Sequence, residues 1–369
     1  MGKYKNDARV VLTLDAGGNS LRFNAMKGEE FLLETITLPS NANNLELCLE
    51  TMVTGFKTVI NQLGSKLQPV AISFAFPGPA DYPAGIIGGY LPNFPSFRDG
   101  VALGPYLQEV FGIPVFINND GDLFAFGEAL SGALPEVNEK LAAAGSSKRY
   151  NNLIGYTFGT GFGIGCVLNG QLNRGDNSCV ETYCLPNPHI QGVILEDSVA
   201  IRAVKRVYAE QSGEQDPSLT PKDIYDIAEG KKPGDAQAAR AAFAEMGHVA
   251  GLAITTAVQL MDGLVVIGGG ISASAKYFMP ALLEEMRGTV RTLSGDVLQR
   301  VQMKVYNLDD EAEFAAFAKG DARELKIWGT DKTVTYDPQK RIGICIDKIG
   351  TSQAISVGAY DFALAQLDA

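Results

Sequence analysis

Apolar runs punctuated by glycine dominate the opening of the chain. VVLTLDAGGNSLRFNAM (residues 10–26) predicts a buried strand, a glycine turn and a second strand; Lys27-Gly28 turns the chain, and Phe31 to Leu38 predicts a third strand. From about Leu45 to Leu63 apolar residues recur at helical spacing, which predicts a helix. The run VAISFAF reads as a strand closed by the rigid turn Pro77-Gly78-Pro79. IPVFINND then predicts a short apolar strand, and a helix beginning near Gly121 carries LFAFGEALSG.

A polar stretch follows at about residues 135–151, and then the opening pattern returns. NLIGYTFGTGFGIGCVLNGQL lies on VVLTLDAGGNSLRFNAMKGEE without gaps, so that Gly159 matches Gly17 and Gly170 matches Gly28. Two strand–glycine turn–strand units, one near the start of each half, predict an internally duplicated architecture. Further on, Thr220 is placed to cap a short helix opening at Pro221 and ending at Gly230. A long helix is expected from about Asp235 to Met261, leading into the strand GLVVIGGG. Leu308 to Gly350 reads as an appended piece with a charged helix and strand-like runs, and SVGAYDFALAQL as the last helix.

Composition narrows this to a globular protein. The chain has 369 residues, 46% hydrophobic and 20% charged, enough for two domains with separate cores. A net charge of -11 without a basic stripe argues against nucleic acid as a partner. No stretch reads as a membrane span, and MGKYKND at the start has no apolar core of a signal segment. Five scattered cysteines (Cys48, Cys166, Cys179, Cys184, Cys345) fit reduced thiols, so the expectation is a cytoplasmic protein that binds no membrane.

Four segments are candidates for chemistry. Asp15-Ala16-Gly17-Gly18-Asn19 puts a carboxylate at a strand end, before glycines that let backbone approach a ligand. It reads as a phosphate-facing turn with Asp15 near Mg2+ or its waters, or as a plain hairpin turn. Gly159-Thr160-Gly161 repeats the motif, and two such turns can grip one nucleotide from both sides. Gly268-Gly269-Gly270 follows an apolar strand and suits either close approach to a flat ring such as adenine or a tight strand-to-helix connection. Neither a Walker A nor a G-x-G-x-x-G pattern occurs, which counts against P-loop and dinucleotide folds. In Asn118-Asn119-Asp120-Gly121, Asp120 suits a general base for a hydroxyl attacking a γ-phosphate, an N-cap of the next helix, or both.

Taken in order, these segments resemble the ROK family (repressors, open reading frames and sugar kinases) of the actin-like ATPase superfamily. DAGGN and GTGFGIG are similar to its two phosphate motifs, FPGPAD to its first connecting segment, INND to its catalytic strand and VIGGGIS to its adenosine motif; LPNF and VLNGQLNRG also resemble family segments. The resemblance implies an α/β fold of two actin-like (ribonuclease H-like) lobes built from duplicated βββαβαβα units, with ATP and sugar in the cleft. The first lobe would span residues 1–120 and 354–369, and the second 121–353 with an insert at about 308–350.

It also implies Asp120 as the base, Asn119 and Asn93 as sugar ligands, and sugar-binding acids at Glu181 and Glu196. The family's His in the G-E-x-G-H segment falls on Cys184, its zinc-binding cysteine cluster is missing, and Asn19 stands where a Thr is usual. Cys179, Cys184 and His189 fall short of the four ligands of a structural zinc, so no metal is assigned to protein ligands there. His248, inside the long helix, reads as a packing residue. The expected activity is ATP- and Mg2+-dependent phosphorylation of a hexose or related sugar by a homodimer. The alternative is a non-catalytic or regulatory sugar-binding relative, expected without a helix-turn-helix domain because the first strand begins near Arg9.

Overall fold

Val10–Ala16 (β1) and Ser20–Lys27 (β2) form the antiparallel pair that the opening pattern predicts, and β1 continues the sheet in parallel on its other side. The computed structural model describes residues 2–369, which divide into two compact units. The first takes the chain up to Pro135 together with Gly165–Val180 and Ile349–Ala369. It adds Glu30–Phe31 (β3), Ile36–Pro39 (β4), Leu45–Leu63 (α1), Pro69–Ala75 (β5), the short Ala80–Asp81 (β6) and Ile86–Ile87 (β7), Leu103–Phe111 (α2), Val115–Asn118 (β8) and Asp120–Leu130 (α3). Its sheet runs β3-β2-β1-β5-β8, with β4 also on β2.

The expected third strand is split in two because the buried Asn24 side chain donates to the Leu33 carbonyl and the Thr35 hydroxyl, both at 3.1 Å, and holds the chain off the sheet. One sheet face buries Leu12, Leu14, Phe23, Ile72 and Phe74 against Met52, Phe56 and Val59 of α1; Phe23 and Phe56 meet edge to face at 5.1 Å. The other face carries Val11, Met26 and Ala71 against Val357, Tyr360 and Leu364 of the last helix, Thr351–Leu367 (α10). α3 lies on α10 at backbone distance: a methyl at Gly358 would overlap the Leu123 carbonyl, and one at Gly127 the Ala354 carbonyl.

In sequence order the chain then supplies Ala133–Ala143 (α4), Leu153–Phe158 (β9), Phe162–Leu168 (β10), Gln171–Leu172 (β11), Ile201–Ser212 (α5), Pro221–Ala228 (α6), Ala236–Met261 (α7) and Leu264–Gly268 (β12). After these come Ala275–Met286 (α8), Thr289–Arg291 (β13), Val297–Gln299 (β14), Lys304–Asn307 (β15), Glu311–Lys319 (α9), Arg323–Lys326 (β16), Thr333–Tyr336 (β17) and Arg341–Ile346 (β18). In the second sheet, β11-β10-β9-β12-β18-β15, the first five strands repeat the order β3-β2-β1-β5-β8, and β15 extends it beyond β18. Gly28 and Gly170, paired by the sequence repeat, both turn with positive φ, 57° and 76°.

The segment expected as an appended piece is partly interior: β18 pairs in parallel with both β12 and β15, while β16 and β17 form an exposed hairpin. α7 is long and apolar enough to span a membrane by length and composition, yet 67% of that window is buried, as in a core helix. Asp235 caps it; Thr220 caps α6 as its sequence predicts, and Asp223 completes a capping box there.

Candidate active site

The carboxyl ends of β1, β5 and β8 finish level with one another. Asp15 stands beside Ala75, and Ala75 beside Asn118, so the register sets Asp15 and the Asn119-Asp120 junction along one edge of the first sheet. Ligands of open parallel sheets bind at such edges. Asn119 is the N-cap of α3 and Asp120 its first residue; the Gly121 N–H donates to Asn119 Oδ1 at 2.7 Å and to Asp120 Oδ1 at 2.9 Å. Capping therefore falls mainly to Asn119, and the Asp120 side chain is exposed. Loss of surrounding water raises the Asp120 carboxyl above its ordinary range, backbone N–H donors oppose this, and the Asp15 carboxylate adds to the rise. The carboxylate keeps an open path to solvent, which limits that desolvation.

Behind this junction lies a polar cluster that the motifs do not reveal. Asp122 is buried in the first turn of α3, and burial pushes its carboxyl up to about 7 although the Arg174 guanidinium opposes the shift. Arg174 Nη1 donates to Asn118 Oδ1 at 2.7 Å, while the Asn118 amide nitrogen is buried without a partner. Gly165 makes this packing possible, since a methyl there would overlap the Gly121 carbonyl and crowd Asp122 Cα. An acid two residues after a candidate base was the only signal in the sequence.

The Gly17-Gly18-Asn19 turn closes through Gly17 N–H to Ser20 O at 3.0 Å, and Ser40 holds it, its N–H donating to Asn19 O at 3.2 Å and its hydroxyl to Gly18 O. A methyl at Gly18 would stand 3.1 Å from Asn93 Cβ, so Asn93 and the first glycine turn are neighbours. Asp15 is exposed, with Arg22 at 3.7 Å as a loose counter-ion.

In the second unit, Gly159-Thr160-Gly161 joins β9 to β10. Gly268-Gly269-Gly270 is brought beside β9: Gly269 has φ 93°, a methyl on it would overlap the Phe158 backbone, and the Ile271 N–H donates to Phe158 O at 3.0 Å. Glu196 accepts from the Phe162 N–H at 2.9 Å and pairs with Arg202 at 2.7 Å. Glu181 is half-buried next to Thr182, whose hydroxyl lies 3.4 Å from the Tyr156 hydroxyl. Cys179 and Cys184 are exposed thiols, and His189 lies 3.4 Å from Glu245. His248, half-exposed on α7, lies 3.7 Å from Glu285.

Comparison with known proteins follows the same lines. A sequence model of the ROK family matches residues 11–312. A crystal structure of a glucokinase from Parabacteroides distasonis superposes with a TM-score of 0.91 at 54% identity, covering 98% of this chain and 99% of that one. A ROK family glucokinase from Streptomyces griseus, in complex with glucose and AMPPNP, has a TM-score of 0.61 at 17% identity and covers 96% and 98%. A glucokinase from Halalkalibacterium halodurans is 23% identical over 326 residues, 78% of this chain and 92% of its own length.

Proposed function

The chain belongs to the ROK family, and from that premise we propose that it transfers the γ-phosphoryl group of ATP to a hydroxyl of a hexose, glucose first among them, with Asp120 as general base. The duplicated α/β sheets have the actin-like ATPase fold, and the sequence likeness supports an ATP-dependent sugar kinase. The observation that carries the assignment of roles is the strand edge at which Asp120, relieved of most of the capping by Asn119, stands with Asp15.

In the proposed step the sugar oxygen attacks the γ-phosphorus, the bond to the β,γ-bridging oxygen breaks to release ADP, and the hydroxyl proton passes to Asp120. Asn119 has an amide nitrogen left to donate to a sugar hydroxyl, and Asn93 and Glu181 are further candidates for the sugar. Among the glycine turns, Gly17, Gly18 and Asn19, and likewise Gly159, Thr160 and Gly161, are candidates for phosphate contacts, and Gly268–Gly270 for the adenosine. Asp15, exposed and only loosely paired, suits Mg2+ or its waters; the ion would offset the charge of the triphosphate.

Asp120→Asn is expected to lower kcat at least ~10²-fold while nucleotide binding persists, the scale of general-base catalysis. The assay is coupled ADP release across a panel of sugars, with an EDTA control for the metal. Turnover like the wild type in that variant removes Asp120 from the mechanism. Binding of a sugar without phosphorylation of any panel member would instead favour a regulatory sugar-binding role, to which the exposed Cys184 in place of the family's His gives some support.

We also propose that the molecule is cytoplasmic, in keeping with its five free thiols, and that two copies associate through the β13–β14 and β16–β17 hairpins. Isolated two-stranded hairpins are marginal in water, and these expose Leu293, Val297, Leu298, Val334 and Trp328, the last 97% exposed. Arg323, Lys326 and Lys332 against Glu324 and Asp331 leave the second hairpin near neutral, so like copies can meet there despite the net charge of -11.

A further inference from the structure

Glu196 and Arg202 are bound into the glycine turn of the second unit more fully than a ligand-facing pair needs to be. Glu196 Oε2 accepts the Phe162 N–H at 2.9 Å, and a methyl at Gly161 would stand only 3.0 Å from that same oxygen. Its other oxygen, Oε1, takes Arg202 Nη2 at 2.7 Å. Arg202 in turn donates to the Thr160 carbonyl at 3.3 Å and pairs with Asp197. The first residue of α5 completes the grip: the Ile201 N–H donates to the Gly159 carbonyl at 2.9 Å.

The turn's own groups can be accounted for one by one. The Gly159 N–H bonds the Gly161 carbonyl at 3.1 Å, so the three carbonyls of Gly159, Thr160 and Gly161 are all occupied by protein donors. Among the described residues nothing takes the N–H groups of Thr160 and Gly161 or the Thr160 hydroxyl. A turn whose carbonyls are fixed by protein and whose amides are left open presents donors only, which is what an anionic phosphate requires. Arg202 is shared by two carboxylates, Glu196 and Asp197, so its charge is balanced locally and is not free to meet a phosphate directly.

We propose that Glu196 and Arg202 are positioning residues for the nucleotide: they hold the Gly159–Gly161 turn with its amides open, and their effect on catalysis runs through ATP rather than through the sugar. This rests on the kinase reading, and it gives Glu196 a different task from the sugar contact that the family resemblance implies.

The test is a KM split in Arg202→Gln and Glu196→Ala, with Arg202→Lys as the conservative variant and thermal melts as the check on folding. The KM for ATP is expected to rise about tenfold in each, the scale of one charge-assisted hydrogen bond lost from a ligand-binding loop. The sugar KM should stay within about twofold, and Arg202→Lys should recover part of the ATP affinity. A rise in the sugar KM with the ATP KM unchanged overturns the proposal, as does no change in either. If Glu196→Ala does not fold, Arg202→Gln alone decides. Titration with AMPPNP reads nucleotide affinity without turnover, so an inactive wild type would count against the kinase reading and leave this test intact.

Discussion

At the scale of single residues, Asp122 shows how burial turns an ordinary acid into a titrating group at neutral pH. Unfolded, it ionises near 3.8; folded, it is held up to about 7 because the charged form is poorly hydrated in the first turn of α3. The native state therefore binds the extra proton, and stability falls as pH rises from about 4 to about 7. Asp122→Asn should raise the urea midpoint at pH 8 by an amount worth on the order of 1–3 kcal/mol, with the gain shrinking toward pH 5. Equal gains at both pH values would show that Asp122 is already ionised in the native state. Its neighbours illustrate what residue types alone leave open. Asn119 and Asp120 are both favoured caps, and only the position of the helix start assigns the cap to the first and leaves the second exposed.

At the scale of elements, local pattern did most of the work. α1 runs from Leu45 to Leu63 as the apolar spacing predicts, and α6 opens at Pro221 behind its Thr220 cap, because periodicity and capping act within a turn or two. α4 escaped notice: Pro135 stands in its first turn, where proline is tolerated, and half of the helical residues after it are polar. The third strand failed for the opposite reason, a buried Asn24 nine and eleven residues away drawing the chain out of register. The tight packing of α3 on α10 offers a direct check. Gly358→Ala puts a methyl into the Leu123 carbonyl and should destabilise the protein by ~1–3 kcal/mol or more, the cost of overpacking, read by urea denaturation. A neutral result would mean that the two helices can separate without loss.

At the scale of the whole molecule, duplication organises both sheets, since five strands of each follow one order. The exposed hairpins stand outside that plan, and their proposed role is settled by mass. If the proposed dimer forms, Trp328→Lys should shift it to monomer in sedimentation velocity by placing a charge where an aromatic anchor would be buried. A wild type that is already monomeric at assay concentrations would dismiss the hairpins as an interface.

By itself the sequence determined the duplicated strand–turn–strand units, most helix spans, the family, and the strand-to-helix junction that holds Asp120. All of these rest on neighbours a few positions apart or on a repeat visible in the chain. The tertiary structure alone decided that β18 is interior, that Asp122 is dry beside Arg174, and that Glu196 closes on the second glycine turn. Those outcomes join residues far apart in the chain, Asn118 with Arg174 across 56 positions and Phe162 with Glu196 across 34. Burial and pairing at such separations arise only when folding brings the elements together, and no local pattern encodes them.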